Sequence, residues 1–208
     1  NIYSVLGHLT FDIRLMEIYA VCEDKNIPVI AHCSSATVRT SRTWIKNIDG
    51  IMQGKSENWK VFQGNKFIFR ANNKAEYFNH PVNWIPVLKT FPKLKLNLAH
   101  FGSDNEWEKL IAGENNTWVS RIMDLMARYE NVYADLAYGI YNHKIYDFLR
   151  RRLEDNKFLF EKTLYGSDYY MVIVEGHFRS IHMDFLTAMG TKIMKQLAVI
   201  NPYNFLFR

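Results

Sequence analysis

Short apolar runs alternate along the chain with longer stretches in which hydrophobic residues recur every three to four positions. That alternation is the mark of successive βα units and a parallel sheet. Over residues 12–25, Ile13, Met16, Tyr19 and Ala20 fall at helical spacing behind Asp12, a residue type suited to capping a helix start. Asn26 breaks the pattern, and residues 27–32 read as a short buried strand, with Pro28 near its start where a missing N–H is tolerated. Trp84, Ile85, Val87 and Leu88 predict a short helix ended before Pro92, and residues 94–100 predict the next strand, from which Phe101-Gly102-Ser103 turns away. Trp118, Ile122, Leu125, Met126 and Tyr129 share one stripe of an amphipathic helix. Residues 132–136 form a third strand, residues 143–154 another helix, and residues 163–168 a fourth strand. A last helix covers roughly 176–200, and Asn201-Pro202 stops it.

Residues 33–80 break this rhythm. They are rich in Ser, Thr, Asn, Lys and Trp and offer only one further strand, at 66–70. A stretch of that length inside one domain reads as an active-site loop or an insertion. Four parallel strands with helices between them leave two architectures open. One is half of a barrel completed by strands that precede Asn1; the other is a smaller open α/β fold, since a bare half-barrel exposes two sheet edges and a core face.

Composition changes this picture little. The 208 residues suffice for one domain, and 48% hydrophobic with 23% charged residues is ordinary for a globular chain. The 15% aromatic share is high and fits either a large aromatic core or an aromatic-lined pocket. The net charge of +5 is dispersed apart from Arg150-Arg151-Arg152, beside Lys144 and Lys157, a run that reads as a solvated helix face. Without a long basic stripe or a recognisable module, nucleic acid is not an expected partner. Cys22 and Cys33 lack CxxC spacing and suit reduced thiols of a cytoplasmic-type protein. No apolar run reaches the roughly 20 residues of a bilayer span. The opening Asn-Ile-Tyr shows no signal-like pattern and reads as an internal start, which leaves any targeting peptide out of view; cytoplasmic localisation is the expectation from the thiols alone.

The candidate chemistry gathers at strand ends. His32, His100 and Asp168 each close a predicted strand and precede small or turn-forming residues. In a parallel barrel the strand C-termini converge on one face, where active sites are built. Two imidazoles and a carboxylate on such a face could bind a divalent metal or move the proton of its water. Singly, a strand-end His is more often a satisfied core or loop residue, and an Asp after Gly-Ser a turn or cap. Their convergence is the stronger signal.

Ile27-Pro-Val-Ile-Ala-His-Cys-Ser, Phe91-Pro-Lys-Leu-Lys-Leu-Asn-Leu-Ala-His-Phe-Gly, Asn131-Val-Tyr-Ala-Asp-Leu, Leu164-Tyr-Gly-Ser-Asp-Tyr and the closing Asn201-Pro-Tyr-Asn-Phe-Leu resemble successive segments of the amidohydrolase-related family. That family includes metal-dependent hydrolases and aminocarboxymuconate-semialdehyde-decarboxylase-like enzymes. The resemblance implies a (β/α)8 TIM barrel, of which this chain supplies strands five to eight. It implies that His32, after strand five, is a metal ligand, and that His100, after strand six, is an acid–base or polarising group. Asp168, after strand eight, would bind metal and accept a proton from its water. It implies one divalent metal, zinc first and manganese second, and a small-molecule substrate; a homodimer is compatible with it. Asp135, at the end of strand seven, is a substrate contact or a structural hydrogen-bonding residue. Arg39 and Arg42, in the loop after His32, could pair with a substrate carboxylate. Tyr169 and Tyr170 follow Asp168 and serve either substrate or packing.

One departure bears on function. The family carries a His-x-His pair at its first strand, whereas His8, His80, His143, His177 and His182 stand singly. Two readings follow. The first is a metal-dependent hydrolase of a C–N or C–O bond, or a decarboxylase of a small aromatic or carboxylic acid. The second is a catalytically silent barrel used for binding or scaffolding. Met171, Met183, Met189 and Met194 read as core filler. No Gly-x-Ser-x-Gly elbow and no Gly-x-Gly-x-x-Gly loop is present, which disfavours serine hydrolysis and dinucleotide binding.

Overall fold

The four apolar runs lie side by side in one parallel sheet. This computed structural model describes residues 2–35 and 74–208, with the backbone of four short strands between residues 44 and 68. Helix α1 (Ile13–Asp24) starts at Asp12, whose carboxylate accepts from the Arg14 backbone N–H and satisfies one of the first-turn donors. Strand β1 (Val29–Ser34) follows. Between β1 and the next helix, β2 (Trp44–Lys46) pairs with β5 (Lys66–Ile68), and β3 (Gly50–Gln53) with β4 (Trp59–Phe62), both antiparallel. The two ladders share one register. Of the strand expected at 66–70, the described part ends at Ile68.

The chain continues through α2 (Lys74–Phe78), a 3-10 turn at Pro81–Trp84, α3 (Ile85–Thr90), β6 (Leu96–Gly102), α4 (Asp104–Ile111) and α5 (Trp118–Arg128). Then come β7 (Val132–Asp135), α6 (Tyr146–Asp155), α7 (Lys157–Lys162), β8 (Thr163–Leu164), α8 (Tyr169–Glu175) and α9 (Phe178–Lys195). The sheet order is β1-β6-β7-β8, all parallel. The basic run lies on α6, with Arg151 and Arg152 exposed and Arg150 paired to Glu154.

Register sets which side chains share a face. Ile30 pairs with Asn97 and Asn97 with Tyr133; one step on, His32 pairs with Ala99 and Asp135 with Leu164. Because strand side chains alternate, His32, Ala99, Asp135 and Leu164 form one row near the strand C-termini, above Ile30, Asn97 and Tyr133. The opposite row, including Ala31, Leu98 and Ala134, joins the helix-covered core. Trp84, Trp107, Tyr19, Phe78, Phe101 and Phe185 are all fully buried there, so much of the aromatic content is core. Each such ring contributes about 1.5–3 kcal/mol by leaving water.

Both sheet edges are blunted. Ile2 bridges to β1, donating to the Ile30 carbonyl and accepting from the His32 N–H. Beyond β8, Tyr165 N–H donates to the Leu197 carbonyl. Ile30 nonetheless stays 43% exposed on the inner face. Among the described residues no helix is long and apolar enough to cross a membrane. Both cysteines are free thiols, with Cys33 buried.

Three expectations need correction. The last helix does not stop at Asn201: a π turn (Gln196–Ile200) leads into α10 (Asn201–Phe207), with Pro202 in the first turn, where a missing N–H loses nothing. The fourth strand is only two residues long, and residues 165–168 leave it without regular structure. Met189 and Met194 are core residues, whereas Met171 and Met183 are roughly half exposed on α8 and α9.

Candidate functional site

His32 sits within β1 with its ring on the inner face, its centroid 4.8 Å from that of Tyr3 and 4.6 Å from that of His100, the latter edge-on. Its ring nitrogens are shielded from solvent. The two strand-end histidines named from the sequence are therefore direct neighbours.

His100 reaches that position through a bulge. Ladder pairing passes from His32↔Ala99 to Ser34↔Gly102, so β6 spends one more residue than β1 over the same distance. His100, Phe101, Gly102 and Ser103 all take positive φ, at 70°, 43°, 86° and 97°. For the non-glycine residues this conformation costs about 1–2 kcal/mol each. Bulges of this kind re-aim a side chain beside a functional centre. The Ser103 N–H donates to the His100 carbonyl at 2.9 Å, and the Ser35 and Ser103 hydroxyls meet at 3.0 Å.

The His100 ring has a fixed partner. Its Nδ1 lies 3.2 Å from the Ala137 carbonyl oxygen. A carbonyl only accepts, so the neutral ring carries its proton on Nδ1 and its lone pair on Nε2.

Asp135 is buried at the end of β7. Its Oδ1 accepts from the backbone N–H groups of His100 and Ala137, each at 3.0 Å, and its Oδ2 accepts from Asn97 Nδ2 at 2.6 Å. Of the two roles considered for Asp135, these bonds describe the hydrogen-bonding one. Asn97 carried a weak signal in the sequence, as an amide in the otherwise apolar second half of its strand; Ala137 and Tyr3 carried none.

Asp168 lies in the segment after β8, in the left-handed region at φ 46°. It heads α8, yet its side chain makes no capping bond to that helix. Tyr169 is 48% exposed and packs its ring on Phe178 at 4.9 Å, with Tyr170 alongside. Arg39 and Arg42 lie outside the described residues.

Two of the other histidines, His80 and His182, have structural surroundings. His80 Nδ1 accepts from the Val82 N–H, and its ring packs on Trp118; burial, with the nearby Arg121 charge, holds its pKa down to about 3. His182 bonds the Tyr165 hydroxyl through Nδ1 at 2.7 Å and stacks on Phe178. Burial pushes the Cys33 thiol well above its ordinary range, which disfavours a thiolate nucleophile.

Metal fit can be judged on donor chemistry. Among the described residues, no group of three or more His, Cys, Asp or Glu side chains converges where an ion could be held. Metals in hydrolytic sites take three protein donors. His32 and Asp168 are donors of the right type but do not make a complete set.

Among solved structures, an uncharacterized TIM-barrel protein from Bordetella bronchiseptica matches 94% of this chain at 23% identity with a TM-score of 0.55. That likeness shows the fold: the sheet is part of a (β/α)8 barrel, and the open α/β alternative falls away. The chain spans half the length of that structure's chain. No curated protein matches the sequence. The amidohydrolase family profile matches residues 5–208, nearly the full length. On that match, and with strand-end histidines meeting on the inner face of a partial TIM barrel, the chain belongs to the amidohydrolase family.

Proposed function

We propose that this chain carries the acid–base group and part of the metal-binding set of a hydrolase that adds water across a C–N or C–O bond of a small molecule. The observation that carries the reading is His100, whose Nδ1–H is committed to the Ala137 carbonyl while its ring lies 4.6 Å from that of His32. His100 Nε2 takes a proton from water as the water oxygen bonds to the substrate carbon. The same proton passes to the leaving nitrogen or oxygen as its bond to that carbon breaks. One water is consumed, and the histidine ends as it began.

His32 and Asp168 are this chain's contribution to a divalent ion, zinc first and manganese second, completed by donors beyond the described residues. Such an ion lowers the pKa of its bound water to about 7. Asp168 suits the role because its carboxylate is not used to cap α8. Tyr169, half exposed beside it, and Arg39 are the proposed substrate contacts.

Turnover of a panel of chromogenic amides, lactones and esters tests this reading. His100→Ala should lower kcat by about 10²–10⁴-fold with an unchanged circular dichroism spectrum. A variant as active as the parent would contradict it. The silent-barrel reading is favoured by the incomplete donor set among the described residues. It predicts no turnover of any panel member with zinc or manganese supplied.

A further inference from the structure

We propose that Asp135 is a positioning residue for His100 rather than a group that touches substrate: its carboxylate holds the left-handed bulge in place and so fixes which ring nitrogen faces the reaction. The inference rests on the reading of His100 as the acid–base group. Three bonds close a ring. The His100 N–H donates to Asp135 Oδ1, the Ala137 N–H donates to the same oxygen, and the Ala137 carbonyl lies 3.2 Å from His100 Nδ1. One carboxylate oxygen therefore ties the end of β6 to the exit from β7, and Ala137, held through its N–H, presents its own carbonyl as the acceptor for the imidazole.

The geometry requires such a tie. His100 and Phe101 are consecutive non-glycine residues at positive φ, a conformation that persists only where surrounding bonds over-determine it. The second oxygen is occupied as well, by Asn97 Nδ2 at 2.6 Å. With Oδ1 shared between two backbone donors and Oδ2 on a buried amide, the carboxylate is turned inward to the protein. Gly166 lets the chain after β8 pass close against Ala137, since a Cβ there would stand 3.1 Å from the Ala137 Cβ. Asn97 Oδ1 is buried without a hydrogen-bond partner among the described residues. An amide at position 135 could thus be accommodated by turning Asn97 over, so that its oxygen accepts from the new NH2 group.

Two variants separate positioning from direct action. Asp135→Asn keeps one oxygen for both backbone donors and should retain kcat within about tenfold; Asp135→Ala removes the tie and should lower kcat by about a hundredfold at unchanged KM, the scale of a misplaced catalytic group. Long-range ¹H–¹⁵N correlation of the His100 ring supplies the readout that a merely structural residue would not move. The neutral ring should be the Nδ1–H tautomer in the parent and in Asp135→Asn, and a mixture in Asp135→Ala. If Asp135→Ala does not fold, the parent spectrum still decides, because an Nε2–H tautomer there overturns the proposal. Loss of more than about a thousandfold in Asp135→Asn with the parent tautomer intact also overturns it, since the charge itself would then be acting. If the Nδ1–H tautomer is found while His100→Ala keeps full activity, the clamp stands and the acid–base reading falls.

Discussion

A Cβ placed on Gly102 would stand 3.1 Å from the Cβ of Trp118 and 3.2 Å from the backbone nitrogen of Val119. The bulge that turns His100 toward His32 is thereby seated directly on the start of α5. Gly102 also has φ 86°, so any side chain there is both crowded and conformationally strained. Gly102→Ala should destabilise the protein by about 2–4 kcal/mol, combining left-handed strain with overpacking. Urea unfolding measures this as a lowered midpoint at constant m value. A change under about 0.5 kcal/mol would mean that α5 yields more readily than close packing allows.

His80 gives a pH dependence of known sign. The unfolded residue takes up a proton near about 6.5, its ordinary value, whereas burial holds the folded one down to about 3. Between those values the unfolded chain binds more protons, so stability rises with pH across the window. The stabilisation from keeping His80 neutral is fully present above about pH 6.5 and is lost as pH falls toward 3. His80→Asn keeps an acceptor for the Val82 N–H and removes the titration. Its stability should fall less than that of the parent between pH 7 and 4, by on the order of a few kcal/mol. Parallel stability curves for the two proteins would refute this account of His80.

Asn201 fastens the C-terminal helix to the last strand. Fully buried, it donates from Nδ2 to the carbonyls of Thr163 and Phe160, at 2.6 and 2.8 Å, and accepts from Gln196 through Oδ1. Asn201→Leu removes the donors, strands two carbonyls and crowds a fully buried site, at a cost of about 2–4 kcal/mol. Hydrogen exchange should quicken at the amides of α10 and at Tyr165, which bonds Leu197 across the same edge. Unchanged exchange there would show that α10 docks through Phe205 alone.

The parts of the fold carried by local pattern were legible from the sequence. The β6 and β7 runs are apolar because both faces of those strands are largely covered, β1 is apolar with only its helix-facing side fully buried, and α5 has a single apolar stripe facing the core. The fourth strand was overextended because Tyr165 and Gly166 continue its composition, while the ladder ends where β8 leaves β7 after Leu164. Helix α4 opens with Asp104-Asn105-Glu106 and offers few apolar marks before Trp107. Pro202 was misread because a proline in a first helical turn and one beyond a helix end look alike without the π turn that precedes it. At the site, the types and strand positions of His32 and His100 were readable. The clamp was not: Asn97 and Asp135 are 38 residues apart, and nothing in a sequence announces that His100 and Phe101 take left-handed backbone.

The most direct test of the hydrolytic centre is the metal content of the protein, purified without chelator, measured by inductively coupled plasma mass spectrometry beside His32→Ala and Asp168→Asn. About one equivalent of zinc or manganese in the parent, falling at least tenfold in both variants, is the expected result, since removing a ligand costs far more than a supporting contact. A metal-free protein that hydrolyses substrate, or metal retained in full by both variants, would contradict it.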